Sequence, residues 1–205
     1  CAGQPDCGVA SIERPTGLVE GDRYDSSVAA EIVTAKYSFH LPVYRQQDLF
    51  AGSGWTPSRS TLLNILAAAA LVIRPLVEHI KRVVLSDDIL GTDDTRVTLL
   101  LPEEIPKADV NDPKSVRVHE VLSEAAAEGR RSISARMWAY RSITFALNVF
   151  DFTVSRHRDG PALMLADFVG KLLADCYAGY EGIAVRSDGA IERGACNAHA
   201  RRKVF

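Results

Sequence analysis

Three aspartates have the type and placement for metal-assisted chemistry: the adjacent pair Asp93 and Asp94, and Asp175. Asp175 closes the apolar run Lys171-Leu172-Leu173-Ala174. The pair lies inside Ile89-Leu90-Gly91-Thr92 and its β-rich continuation Val97-Thr98-Leu99-Leu100-Leu101. Both runs read as strands. Neighbouring strands are about 4.8 Å apart, so pairing these two would bring carboxylates together. Hard Mg²⁺ takes oxygen ligands, and two ions about 3.5–4 Å apart can bind both the attacking and the leaving oxygen in phosphoryl transfer. The alternative is structural, because strand-end aspartates also accept turn and cap hydrogen bonds.

Other residues offer weaker chemistry. Cys196 and His199 are three apart and would share a face if helical; they suit either a metal or a buried thiol beside a hydrogen-bonded ring. Cys1 and Cys7 supply only two of the four ligands of a tetrahedral zinc site, so no bound Zn²⁺ is expected. Arg201, Arg202 and Lys203 follow the last acid, Glu192, in a basic tail. They and the Arg156-His157-Arg158 run are candidate contacts to DNA phosphates, which make binding salt-sensitive; a solvated face is the alternative. Trp55 and Trp138 read as core or cover residues.

The elements that must position these groups begin after a Gly-, Pro- and charge-rich lead-in over residues 1–24. Asp25-Ser26-Ser27 offers caps for a helix with apolar positions Val28, Ile32, Ala35 and Phe39. Pro42 opens a second helix from Val43 to about Ala51, ended by Gly52-Ser53-Gly54. Ser58 or Ser60 caps a third from about Thr61 to Leu85, which Pro75 should kink or divide. Helix, glycine turn, capped helix over residues 25–86 outlines a helix-turn-helix-like unit, a possible DNA reader or a plain helical bundle.

Residues 87–205 change period. Pro102, Pro106 and Pro113 break residues 102–134 into an apparent insertion, with a short surface helix near Val118, Val121, Leu122 and Ala125. Strands resume at 136–141 and 145–152, followed by a helix over Pro161–Phe168, the strand ending at Asp175, a turn or helix from Tyr177, and a strand near Ile191–Cys196. That succession predicts an α/β domain with a mixed sheet.

At 205 residues, 47% hydrophobic and 24% charged, the composition is that of a soluble globular protein with one sizeable domain, or one domain with a small appendage. The net charge of −2 gives no global nucleic-acid signal, so any basic surface is local. No uninterrupted run reaches the ~18–20 apolar residues of a membrane span; Leu62–Pro75, broken by Asn64 and Arg74, reads as a buried helix. The four scattered cysteines and the absence of a signal peptide point to a reducing cytoplasm and no membrane partner. The missing initial Met suggests a fragment.

Five blocks in order resemble insertion-sequence-66 family transposases. Ala35-Lys36-Tyr37-Ser38-Phe39-His40-Leu41-Pro42-Val43-Tyr44-Arg45-Gln46 is similar to "KYADHLPLYRQ", and Ser58-Arg59-Ser60-Thr61-Leu62 to "SRSTL". Asp93-Asp94-Thr95 resembles "DDT" or "DET", and Leu173-Ala174-Asp175-Cys176-Tyr177-Ala178-Gly179-Tyr180 resembles "QADAYAGY". The last block, Ala195 to Phe205, resembles "ACWAHARRKFF".

The resemblance implies a ribonuclease-H-like core with an acidic DDE triad that nicks and joins DNA on Mg²⁺ or Mn²⁺. Asp93 corresponds to the first acid and Asp175 to the second, with Asp94, Cys196 and His199 as supporting residues and Arg59 among the candidate DNA contacts. It further implies DNA partners, a homo-oligomer when active, and a bacterial cytoplasmic, nucleoid-associated location. The third acid, a Glu, is expected beyond the last block; Glu181, Asp188 and Glu192 come too soon to match it. Two departures stand out: the long 102–134 link, and a zinc-ribbon-like region reduced to Cys1 and Cys7. The competing readings are a non-catalytic remnant that at most binds DNA, and a haloacid-dehalogenase-like phosphatase, whose acids should stand one residue apart rather than adjacent.

Overall fold

A computed structural model describes residues 17–18, 23–196 and 201. The chain divides into two compact units, Cys1–Leu76 and Val77–Phe205. The proposed zinc-ribbon remnant, with Cys1 and Cys7, lies outside the described residues, as do His199, Arg202 and Lys203.

The first unit is helical. Helix α1 (Ser26–Tyr37) begins where the Asp25 side chain accepts from the Ser27 amide at 2.7 Å, satisfying one of the open N–H groups of the first turn. Ala29, Ile32 and Ala35 form its buried face. The expected register ran on to Phe39, but the helix stops first: the Ser38 and Phe39 amides both bond to the Thr34 carbonyl, His40 adopts φ 54°, and Phe39 is left exposed.

Helix α2 (Val43–Gly52) follows Pro42. Its buried Gln46 donates to the Leu41 carbonyl at 3.0 Å and to the Ile32 carbonyl at 3.5 Å, tying α2 to α1 and their turn. Helix α3 (Arg59–Leu85) is capped by Ser58, whose hydroxyl accepts from the Thr61 amide at 3.0 Å. Ala29, Ile32, Val43, Leu62 and Ile65 make the core, with Tyr24, Phe50 and Trp55 at its edge.

Two expectations for α3 need correction. Pro75 does not divide it; the helix is continuous, and the boundary between the units falls one residue later. Nor is Leu62–Pro75 a buried helix: Leu62, Ile65 and Ala69 are buried, but Leu63, Leu71, Val72 and Ile73 are exposed. Apart from Asn64 and Arg74 the segment is apolar on all sides, whereas a core contacts only one stripe. By length and composition α3 is also apolar enough to cross a bilayer, which the count of uninterrupted apolar residues missed.

The second unit is a mixed α/β domain. Its elements are β1 (Ile89–Leu100), α4 (Pro113–Ala127), β2 (Ser132–Ser142), β3 (Asn148–Thr153), α5 (Asp159–Met164), β4 (Gly170–Ala174), α6 (Ala178–Arg186) and β5 (Ile191–Ala195). The five strands lie in the order β3-β2-β1-β4-β5. β1, β2 and β3 form an antiparallel meander; β4 then joins β1 in parallel, and β5 joins β4 in parallel.

Alternation along the strands selects the buried face. Leu90 and Thr92 of β1, Trp138, Tyr140 and Ser142 of β2, and Leu172 and Ala174 of β4 are buried, in keeping with the two-residue side-chain period. The apolar and aromatic ones pack with Val84 at the end of α3, Met164, Leu165 and Phe168 at and after α5, and Tyr180 and Ile183 of α6. Helix α5 is shorter than the Pro161–Phe168 expected: Leu165 and Phe168 are buried beyond its end, so burial outlasts helical geometry.

The 102–134 link has a packed role. Pro113 opens a helix instead of breaking one, because the first helical position needs no N–H donor, and the Asp112 side chain accepts from the Lys114 amide at 2.9 Å. Leu122 and Ala125 then pack with Ile133 and Val154 in a second small core.

Two polar and steric devices fix the strands that carry the acids. Buried Asp87 accepts from the Ser142 hydroxyl, from the Thr144 amide and hydroxyl at 2.8 Å each, and from the Ile89 amide at 3.3 Å. The Ser142 bond foremost, with the Thr144 and Ile89 bonds beside it, holds its carboxyl well below the usual carboxylate range against the opposing effect of desolvation. One side chain thus locks the start of β1 to the β2–β3 turn. At Gly170 φ is +148°, and a Cβ there would meet the Asp88 carbonyl oxygen at 2.5 Å; glycine lets β4 start flush against β1.

Candidate active site

The sheet places the two acidic segments side by side. Ile89, Leu90 and Gly91 pair in parallel with Lys171, Leu172 and Leu173. The same register carried two residues onward sets Asp93 alongside Asp175, just past the end of β4. The chain leaves β1 toward β2 on one side and β4 toward β5 on the other. Asp175 stands at the carboxyl end of β4 while β1 runs on to Leu100; the point where strand order diverges is where open α/β sheets favour ligands.

One ligand oxygen from each of Asp93, Asp94 and Asp175 lies within 4.8 Å of the others. Mg–O distances of about 2.0–2.1 Å allow two oxygens on one ion to be at most about 4.2 Å apart. Cis oxygens on such an ion are only about 2.9 Å apart, so the cluster has the donors for a hard divalent cation but must draw in to hold one. An all-carboxylate donor set of this kind suits Mg²⁺ or Mn²⁺ and lacks the nitrogen and sulfur ligands that zinc favours.

The three acids are not equivalent. Asp93 is exposed, and one of its oxygens accepts from the Asp94 amide at 2.9 Å. Asp94 projects to the opposite face, the side of Leu90 and Thr92, and only 4% of its side chain is exposed. It is met there by two arginines: Arg156 donates to its Oδ1 from Nε at 3.1 Å and Nη2 at 2.8 Å, and Arg136 Nε lies 3.4 Å from its Oδ2. Asp175 Oδ1 accepts from the Tyr177 amide at 3.0 Å, a side-chain turn that leads into α6, while Oδ2 lies 3.5 Å from Arg156 Nη2. Arg193 Nη2 donates to the Asp175 carbonyl at 2.6 Å, and its Nη1 pairs with Glu181.

Aromatic residues back the cluster. The Arg156 guanidinium stacks 4.3 Å above the Tyr177 ring, and the Tyr177 hydroxyl donates to the Arg156 carbonyl. Hydrogen bonding to Asp94 raises the already high Arg156 pKa. Burial pushes the Tyr177 phenol up, with Arg156 opposing. Below lies Tyr180, whose hydroxyl meets that of Thr92 at 3.0 Å; burial raises its pKa further, so it is a neutral hydrogen-bonding group. Trp138 donates from Nε1 to Thr153 Oγ1 at 2.7 Å, and Thr153 donates on to the Ser155 carbonyl, steadying the turn that delivers Arg156.

The other candidates scatter. Cys196 follows β5, and its amide donates to the Ala174 carbonyl at 2.9 Å, next to Asp175. Arg59 is exposed in the first turn of α3, in the first unit, and Arg201 is exposed. Arg136, Arg193, Thr92 and Tyr180 were not anticipated. Arg136 had a legible signal: it stands two residues before Trp138 on the same face of β2. Arg193 had none, because its reach to Asp175 depends on the β4–β5 pairing.

With the geometry in place, comparison with known proteins defines the class. The family model described as "Transposase IS66 family" matches residues 21–110 and 115–205, so the chain belongs to the IS66 family of transposases. Only residues 111–114, inside the 102–134 link, interrupt the match. Among its relatives, "Uncharacterized protein y4jD" of Sinorhizobium fredii (strain NBRC 101917 / NGR234) is 28% identical over 200 residues, covering 96% of this chain and 36% of its own length. From the same strain, "Uncharacterized protein y4qI" is 27% identical over 97% of this chain and 34% of the relative. A third, "Uncharacterized protein y4hP", is 27% identical over 87% and 29% respectively. The chain thus spans about a third of the length of the curated relatives it matches.

Proposed function

We propose that this chain carries the first two acids of a DNA-strand-transferring site, Asp93 and Asp175, within the catalytic region of a longer transposase. The observation that carries the reading is the convergence of Asp93, Asp94 and Asp175 within 4.8 Å, in a chain of the transposase family. An antiparallel meander extended by two parallel strands, with the acids where the two parts meet, is compatible with the ribonuclease-H-like core that the family resemblance implies. The haloacid-dehalogenase-like alternative gains no support, since β1 continues six residues beyond Asp94.

Bound Mg²⁺ or Mn²⁺ would supply the Lewis acid that activates water, and then a DNA 3′-hydroxyl, against a phosphodiester. Asp93, exposed beside Asp175, would hold the cation from the open side. Asp94 would hold the surrounding arginines in place, and those arginines would set the positive field that a phosphate meets. The helices of the first unit would read DNA in helix-turn-helix fashion, with Arg59 facing phosphates. The assembled enzyme would act as a homo-oligomer on DNA in the bacterial cytoplasm, associated with the nucleoid when bound. Zn²⁺ has no part in this reading.

The test is cation-dependent nicking and joining of oligonucleotides bearing the element's ends, using the full-length transposase. Asp93→Ala and Asp175→Ala should each abolish both steps. Unchanged activity in both variants would overturn the assignment.

A further inference from the structure

We infer that Arg156 is a resident counter-cation of the acidic cluster, which a divalent ion must displace in order to bind. This rests on the reading of Asp93 and Asp175 as cation ligands beside Asp94.

Three observations carry it. First, the guanidinium stands between a carboxylate of β1 and one just past the end of β4, donating to Asp94 Oδ1 through Nε and Nη2 and approaching Asp175 Oδ2 at 3.5 Å. Asp175 is one of the two proposed cation ligands, and a guanidinium 3.5 Å from its Oδ2 strongly repels a dication held there. Second, Arg156 has somewhere to go. Its side chain is 40% exposed, and the Tyr177 ring beneath it offers a face along which it can slide while keeping the cation–π contact. Third, Asp94 is not stranded by its departure. Arg136, with only 21% of its side chain exposed, remains 3.4 Å from the other oxygen. The two arginines therefore divide the work: Arg136 is the fixed partner of Asp94 and Arg156 the exchangeable one.

A purely structural ion pair makes a different forecast. Its loss would lower stability without strengthening cation binding. An exchangeable counter-ion is a competitor, so its removal strengthens cation binding by the interaction that no longer has to be broken. Arg156 is thus a positioning residue whose signature is a gain in affinity on removal.

The experiment is calorimetric titration of the chain with Mn²⁺, together with thermal melting at zero and saturating Mn²⁺. Arg156→Gln is expected to bind Mn²⁺ roughly tenfold more tightly than the wild type, the scale of a charge-assisted hydrogen-bond pair no longer displaced, and to show a larger rise in melting temperature on Mn²⁺ addition. Arg156→Lys, a point charge in place of the fork, should bind roughly threefold more tightly and serves if the glutamine variant does not fold. Asp175→Asn should weaken binding in every background. Equal or weaker Mn²⁺ affinity in the Arg156 variants, with binding intact in the wild type, overturns the exchange alone. No Mn²⁺ binding by the wild type or by either Arg156 variant overturns the metal-site reading, and the exchange with it.

Discussion

The hydroxyls of Thr92 and Tyr180 meet at 3.0 Å beneath the acidic cluster, 88 residues apart in sequence. Both side chains are buried, so each hydroxyl has left water and depends on the other. Thr92→Val and Tyr180→Phe should each cost about 1–2 kcal/mol, the price of leaving a buried hydroxyl unpaired. The double variant should cost clearly less than the sum, because removing both partners leaves no orphan. Urea denaturation of all four proteins measures this. Strict additivity would show that the two hydroxyls are not coupled.

Asp94 and Asp93 are neighbours with unequal expected effects on stability. Asp94→Asn removes the charge that faces Arg136 and Arg156 while preserving shape. It should destabilise the domain by about 1–2 kcal/mol, the lower part of the range for hydrogen bonds to charged groups because Arg156 is partly solvated. Asp93→Asn alters an exposed group and should change stability by less than about 0.5 kcal/mol. Denaturant midpoints for the pair check the contrast; equal losses would contradict the assignment of Asp94 as the structural carboxylate.

Asp87 links stability to acid. Its carboxyl titrates lower in the folded protein than in the unfolded chain. At acidic pH the unfolded state therefore binds more protons, and stability falls as pH falls. The contribution of Asp87 is fully present above the ordinary carboxylate pKa of about 3.9 and is lost on acidification through its lower folded value. Asp87→Asn should be less stable at neutral pH and show a shallower acid slope in melting temperature between pH 5 and 2, a window spanning roughly a unit or two either side of that value. Parallel wild-type and variant slopes would exclude this role.

Gly179 is fixed by packing. A Cβ there would lie 2.2 Å from the Tyr177 ring, so Gly179→Ala must push aside the surface on which Arg156 stacks. The cost should be about 1–3 kcal/mol, typical of overpacking. Cation binding should also be perturbed, because the support of Arg156 moves. Melting temperature and Mn²⁺ titration together test the two parts; an unaltered melting point would show that the ring yields freely.

Local signals in the sequence were reliable where one residue settles a local geometry. Asp25 and Ser58 mark helix starts because capping needs only a nearby amide, and the strands over 89–100 and 170–174 follow from short apolar runs ahead of the acids. Signals failed where the answer depended on what lies across the fold. Phe39 continues the helical period of α1, but the backbone turns at Ser38–His40 before reaching it. The apolar middle of α3 looks buried from composition, yet the cores take up only its two ends. Around the candidate site, the nearness of Asp93 and Asp175 followed from the supposition that their strands are neighbours. The near-burial of Asp94 and its pairing with Arg136 and Arg156 required the register of β1 against β2 and the path of the chain after β3. Sequence similarity ranks Asp93 above Asp94 without saying why the second acid is there; the geometry gives it a use.

The parallel seam between β1 and β4 also bears on the order in which the domain folds. The meander β1-β2-β3 forms from contacts within about 60 residues, whereas Gly91 meets Leu173 only by closing a loop of more than 80. Longer loops cost more entropy to close, so pairings of that span form late. Asp94 can therefore gain Arg136 while Asp175 is still far away. The acidic cluster is completed at the final zippering step, so the cation binding proposed for it would report on whether the last two strands have docked.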